Sequence, residues 1–372
     1  MTTTPFATTS SRPARVDVVS GSFGAGHDSA AREIAHRVRA DGHEVFLHDV
    51  VDVFPAGMGR AVRAAYLWQI RAVPGSWGAL LSVLDDDSSG LRMARRVLGL
   101  ASARLAEAIE GSDLVVSTHP FASQVLGERR REGRLTTPAM TYLTDASVHP
   151  MWVHPAIDRH LAWNQVSATQ ARAHGGAAVV IDPLVPVAPG AVRSTPAGRA
   201  LLLAGLGVDP ARPTALIVGG SLGIGRLEET ARDVLRTGLA QPVVLCGAND
   251  DLRRHLGALP GVVALGWRDD LPALLEVSDV VVQNAGGFTS LEATAAGSPL
   301  VSYRCLPGHG ETNAAALHEL GIATWARSEE ALHEAILESL RRGRHSSRLP
   351  SGGAPLLHAL FPNHVLRVAE PA

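Results

Sequence analysis

Short runs rich in valine and leucine recur along the chain, and most are followed by stretches whose apolar positions fall three and four residues apart. This alternation predicts parallel strands connected by amphipathic helices. In the first half it predicts strands at 16–20, 44–48, 114–118, 139–143, 160–163 and 179–181, with helices at 30–40 and 91–109. The pattern then breaks in "DPLVPVAPGAVRSTPAG", residues 182–198, where four prolines interrupt both periodicities. It restarts with strands at 215–218, 243–245, 262–265, 280–282 and 300–303, and ends with helices at 329–341 and near 354–360.

Two such series in 372 residues predict an α/β protein of two doubly wound, Rossmann-like domains. We divide the chain into a polar tail (1–14), an N-terminal domain (15–184), a linker (185–198), a C-terminal domain (199–350) and a C-terminal segment (351–372). Ligands of such sheets sit beyond the carboxyl ends of the strands, so chemistry is expected in the turns that face a central cleft.

Composition narrows that chemistry. A net charge of −2 supplies no general field for nucleic acid. All 34 basic residues are arginine, which removes Schiff-base chemistry and the P-loop lysine. An anion must then be held by arginine, histidine or backbone N–H groups. Cys246 and Cys305 match neither a metal knuckle nor a redox pair, and no apolar run is long enough for a membrane span. These features, with a polar start lacking a signal-peptide core, predict a cytoplasmic protein, with peripheral membrane contact left open.

The turn "GSFGAGH" follows the first strand and carries Gly24, Gly26 and His27. Its glycine order, GxxGxG, departs from the dinucleotide fingerprint, and His27 faces the expected cleft, where an imidazole can take a proton. Asp145 follows another strand in "TDASVHPMW", with His149 and Trp152 beyond it. In the second half "GGSLGIG" places Gly220, Ser221, Gly223 and Gly225 between a strand and a helix, suited to a diphosphate. "NAGGFTSLEA" adds Gly287 and a possible ribose partner, Glu292, while "GHGETN" offers Glu311 and Asn313 to sugar hydroxyls. The sixteen histidines show no metalloprotease spacing, and no metal is expected. The stretch from Tyr66 to Leu81 interleaves arginine with tryptophan and leucine, as a buried helical pair or a membrane-surface element would.

Together and in this order, these segments resemble the monogalactosyldiacylglycerol synthase-like glycosyltransferases, which are similar to the lipid II-forming N-acetylglucosaminyltransferase of peptidoglycan synthesis. The resemblance implies a GT-B architecture and inverting, metal-independent transfer of a hexosyl group from a UDP-sugar substrate to an acceptor such as diacylglycerol, with no cofactor. It assigns His27 and Asp145 to catalysis, and Gly24, Gly26, His149 and Trp152 to the acceptor side. Gly220, Ser221, Gly223, Gly225, Gly287 and Glu292 fall to the nucleotide, Glu311 and Asn313 to the donor sugar, and residues 66–81 to lipid contact. Where many lipid galactosyltransferases carry Pro-Gly-Gln-Glu, this chain has Pro307-Gly308-His309-Gly310-Glu311. An epimerase or hydrolase acting on the nucleotide sugar, a natural-product glycosyltransferase, and a silent nucleotide-sugar-binding protein are the alternatives.

Overall fold

The computed structural model describes residues 12–72, 89–185, 195–284, 287–344 and 349–362. It contains two six-stranded sheets in which every pairing of strands is parallel. The first has the order β2-β1-β3-β4-β5-β6, with β1 Arg15–Ser20, β2 Glu44–Asp49, β3 Leu114–Ser117, β4 Ala139–Leu143, β5 Arg159–Ala162 and β6 Ala178–Val180. The second has the order β12-β11-β10-β7-β8-β9, built from β7 Thr214–Val218, β8 Gln241–Leu245, β9 Val263–Leu265, β10 Val280–Gln283, β11 Leu300–Tyr303 and β12 Thr324–Ala326.

All residues of β3, β4, β7, β8, β10 and β11 are buried, which is why these strands read as near-continuous apolar runs. The sheet order reverses between β1 and β3 in the first half and between β7 and β10 in the second. Each reversal opens a crevice at the strand carboxyl ends, and the glycine turns after β1 and β7 enter those crevices.

Several expected elements change. The helix expected at 30–40 is Ala25–Ala40, so Gly26 and His27 lie in its first turn rather than in a loop before it. Its Ala30, Ala31, Ile34, Ala35 and Val38 are buried against the sheet. The single helix expected at 91–109 is two, Ser89–Leu98 and Ser102–Ala108, joined by a 3-10 turn at Gly99–Ala101. Strand β12 was not anticipated. The expected linker overlaps the helix Pro196–Gly205, and its residues 186–194 lie outside the described residues, as do 1–11 of the tail, 73–81 of the lipid-contact stretch and 363–372 of the C-terminal segment.

The C-terminal segment returns to the first sheet. Ile181 forms a parallel bridge with Ala354, and the carbonyl of Ala359 in the helix Leu356–Leu360 accepts a hydrogen bond from Arg159 at 3.4 Å.

Candidate active site

In the first half, the helix Ala25–Ala40 brings His27 back to the end of β3. His27 Nδ1 lies 2.9 Å from the Thr118 carbonyl oxygen, and Thr118 Oγ1 donates to the His27 carbonyl at 3.1 Å. A carbonyl can only accept, so Nδ1 carries the proton of the neutral ring and Nε2 is its basic nitrogen. The ring meets His119 edge to face at 4.7 Å between centroids and Trp152 at 5.6 Å.

Burial holds the His27 imidazole below its ordinary pKa, while the nearby Asp145 carboxylate pulls in the opposite direction. Asp145 lies on the loop after β4. A Cβ built on Gly287 would stand 2.7 Å from Asp145 Oδ1, so glycine lets the carboxylate approach the start of the helix Phe288–Ala295 in the other half. The same carboxylate acts on His309, whose pKa is lowered by burial, raised by Asp145 and lowered by His27. One carboxylate therefore serves imidazoles from both halves of the molecule.

His149 caps the 3-10 turn Pro150–Trp152, its Nδ1 accepting from the Met151 N–H at 3.2 Å, and Trp152 is buried beside His27. His119, buried and stacked on Phe23 at 4.9 Å, caps the helix Pro120–Arg131 and is held well below its ordinary pKa by burial and by His27. Both are held in place by capping and packing.

In the second half, Gly220, Ser221 and Glu292 line a cavity of about 490 Å³. Its other wall is one face of the helix Ala25–Ala40, with Ala25, Ser29, Arg32 and His36 at helical spacing. Ser221 Oγ accepts from the Ala25 N–H at 3.3 Å, bringing the two glycine turns together. The Glu292 side chain has no hydrogen bond or ion pair among the described residues, and burial pushes its carboxyl up to about 7. Such a carboxylate gains from any hydroxyl donor that enters.

Gly223 and Gly225 serve the turn itself. Both have positive φ, 57° and 97°, and a Cβ at either would run into Cys246 or Asn284. Gly220 also has positive φ, 72°, but with open space where its Cβ would be. Gly24 likewise borders open space.

Glu311 is exposed in the first turn of the helix His309–Glu319. Asn313, expected to present its amide to a ligand, has Oδ1 bonded to the backbone N–H and the hydroxyl of Ser147, each at 2.9 Å across the cleft. The helices that begin at Ala25, Phe288 and His309 around this cleft each have glycine at the N-cap, with no side chain of its own to cap them, and Ser221 Oγ takes only the Ala25 N–H. Helices at Pro120, Gln165, Asp250 and Glu329 do have such caps. The cleft helices thus leave amino-terminal dipoles and N–H groups for an anion.

Sequence reasoning gave no role to His309, to Trp267 and Arg268 at the cavity wall, or to the Ser29–Arg32–His36 face. Trp267 sits just beyond β9, a position that a reading of strand ends could have flagged. Among the described residues there is no group of three or more histidine, cysteine or acidic side chains arranged for a metal ion, and no helix long and apolar enough to cross a membrane.

Residues 27–182 match the family described as monogalactosyldiacylglycerol (MGDG) synthase, and residues 214–350 match the glycosyltransferase family 28 C-terminal domain. The processive diacylglycerol beta-glucosyltransferase of Bacillus subtilis (strain 168) is 28% identical over 251 residues, covering 65% of this chain and 63% of that protein. The protein of the same name from Bacillus pumilus (strain SAFR-032) is 24% identical over 362 residues, covering 92% of this chain and 93% of its own. Among solved structures, Anabaena Alr3699/HepE in complex with UDP and glucose superposes with a TM-score of 0.53 at 18% identity, over 87% of this chain and 89% of that one. That likeness shows the GT-B fold.

Proposed function

The chain belongs to the monogalactosyldiacylglycerol synthase-like glycosyltransferases, and from that premise we propose that it transfers a hexosyl group from a UDP-sugar to the hydroxyl of a diacylglycerol-type lipid, with inversion. The observation that carries this reading is the Ala25–Ser221 contact, with a nucleotide-sized cavity on one side and the His27–Asp145 pair close by.

In this reading UDP lies in the cavity with its ribose hydroxyls on Glu292 and its diphosphate at Gly220 and Ser221. Gly223, Gly225 and Gly287 shape the loops around it, and Glu311 lies on the donor-sugar side. The acceptor enters past Gly24, Gly26 and Trp152. Its hydroxyl gives its proton to His27 Nε2 while the oxygen attacks the anomeric carbon. The bond from that carbon to the diphosphate oxygen breaks, and UDP leaves with the electron pair toward the uncapped helix starts. Asp145 stabilises the imidazolium that forms. Asn313 closes the cleft through Ser147 rather than gripping the sugar with its Oδ1. The mechanism invokes neither metal nor organic cofactor.

With a lipid acceptor, we propose that the reaction takes place at a membrane surface, on its cytoplasmic side. The helix Met58–Ala72 presents Trp68, 68% exposed, together with the exposed Arg60, and supports peripheral contact by the beginning of the Tyr66–Leu81 stretch. The test is UDP release from UDP-glucose and UDP-galactose, with and without diacylglycerol vesicles, coupled to detection of glycosylated lipid. Release that depends on vesicles and matches glycolipid formed is expected. Release without acceptor would indicate a hydrolase, and UDP binding without turnover a silent binder.

A further inference from the structure

Arg304 follows β11 in a conformation that arginine seldom adopts. Its φ is 45°, and among the described residues Ala56 is the only other non-glycine with a positive φ. A residue held in this region persists where its surroundings over-determine it, and here the holder is Asp233. The Asp233 carboxylate, 1% exposed, accepts from Arg304 Nε at 2.6 Å and from the Tyr303 hydroxyl at 2.7 Å, while its other oxygen pairs with Arg236. The Arg304 guanidinium also lies 5.3 Å from the centroid of the Tyr303 ring and 3.8 Å from Glu329.

The two partners stand on elements that serve different parts of the donor. Asp233 belongs to the helix Leu227–Thr237, which follows the glycine turn of Gly220 to Gly225, and Arg304 opens the loop to Gly308, the N-cap of the helix carrying Glu311. Their ion pair therefore ties the sugar-side helix start to the diphosphate turn. Asn284 makes a second tie, its Nδ2 donating to the Ile224 carbonyl at 2.7 Å and its own carbonyl accepting from the Leu306 N–H at 2.9 Å. Neither Asp233 nor Arg304 lines the nucleotide cavity. We propose that Arg304, clamped by Asp233, is a positioning residue that sets the start of the helix His309–Glu319, and with it Glu311, against the donor sugar. The inference rests on the glycosyltransferase reading for the place of the sugar. It adds a clamp outside the cleft that governs how the sugar, as distinct from the nucleotide, is held.

The experiment measures affinity for UDP, UDP-glucose and UDP-galactose by calorimetry, with KM, kcat and melting temperature alongside, in the parent, Arg304→Gly, Asp233→Asn and the double variant. Glycine adopts a positive φ without strain but carries no guanidinium, so Arg304→Gly removes the clamp and keeps the test valid if Asp233→Asn folds poorly. Affinity for the UDP-sugar that the parent prefers should fall roughly tenfold in each single variant, with a matching rise in KM, while affinity for UDP stays within about twofold. The double variant should lose no more than either single one, because both remove the same contact. Equal loss of UDP and UDP-sugar affinity would overturn the proposal, as would a lower melting temperature with UDP-sugar affinity and KM unchanged. A parent that binds neither UDP nor a UDP-sugar would overturn the glycosyltransferase reading together with this inference, whereas variants that bind the UDP-sugar as the parent does would overturn the inference alone.

Discussion

The Nδ1 of His27 and the carbonyl oxygen of Thr118 stand 2.9 Å apart, which leaves Nε2 as the proton acceptor of the neutral ring. Replacing His27 with alanine removes that acceptor but no wall of the nucleotide cavity. A fall in kcat of roughly 10²–10⁴-fold is expected, with UDP affinity unchanged by calorimetry. Loss of UDP binding in step with activity would remove His27 from the chemistry.

The pH profile of the parent enzyme follows from the same ring. A base must be neutral, and burial holds His27 below the ordinary value of 6.5. Activity should therefore persist as the pH falls through 6.5 and decline only below it. A kcat/KM profile with its acid limb above that value would contradict the assignment.

Glu292 yields a stability test with a definite sign. Its carboxyl is pushed up to about 7 from 4.5, so the folded chain keeps a proton that the unfolded chain releases. This group's contribution to stability is full below the unfolded value and is lost as the pH rises toward about 7. Glu292→Gln should melt close to the parent at about pH 4, and higher than the parent by a margin that grows up to about pH 7 and then stays constant. Glu292→Ala should weaken UDP binding by roughly ten- to a hundredfold by calorimetry, as expected for lost ribose hydrogen bonds.

The glycine turn after β7 separates fold from ligand contact. Gly223→Ala forces a positive-φ alanine into the Cys246 carbonyl and should cost about 2–4 kcal/mol in denaturant unfolding. Gly220→Ala meets open space and should cost only about 1–2 kcal/mol, with the larger loss in UDP affinity.

Asn313→Ala removes the acceptor of the Ser147 backbone N–H across the cleft and leaves the Ser147 hydroxyl with Thr312 Oγ1 alone. The KM for UDP-sugar should rise and solution scattering should show a more open particle, with little change in melting temperature. A compact particle with unchanged KM would show that the contact does not hold the halves together.

The sheets were largely legible because parallel strands covered on both faces read as mostly apolar runs, as β3, β7 and β10 do, and β1 keeps three valines around its buried Asp17. Strand β12 escaped because it is three residues, Thr-Trp-Ala, with only the alanine buried. The early start of the Ala25–Ala40 helix was hidden by Gly24 and Gly26, which read as turn. Gly26 instead lets the helix pack against Phe288, where a Cβ would lie 3.3 Å from the Phe288 Cβ. That reason comes from the opposite half of the molecule and has no local trace. The bond between Asn313 and Ser147 had no local trace either, since the two residues are 166 positions apart. Glu292, Gly220 and Ser221, singled out by the strand-to-helix turns near them, line one cavity.

The return of the chain to the first sheet has a consequence for biosynthesis. The backbone of Ala354 donates to Val180 and accepts from Asp182, both at 3.0 Å, and the Phe361 ring lies 4.6 Å from that of His43. The half that leaves the ribosome first must wait for residues made after the entire second half before these contacts can form. Until then the β6 end of its sheet lacks the Ala354 contacts. A chain released near residue 345 would keep all twelve described strands yet lack Ala354 and Phe361, the last partners of its first half.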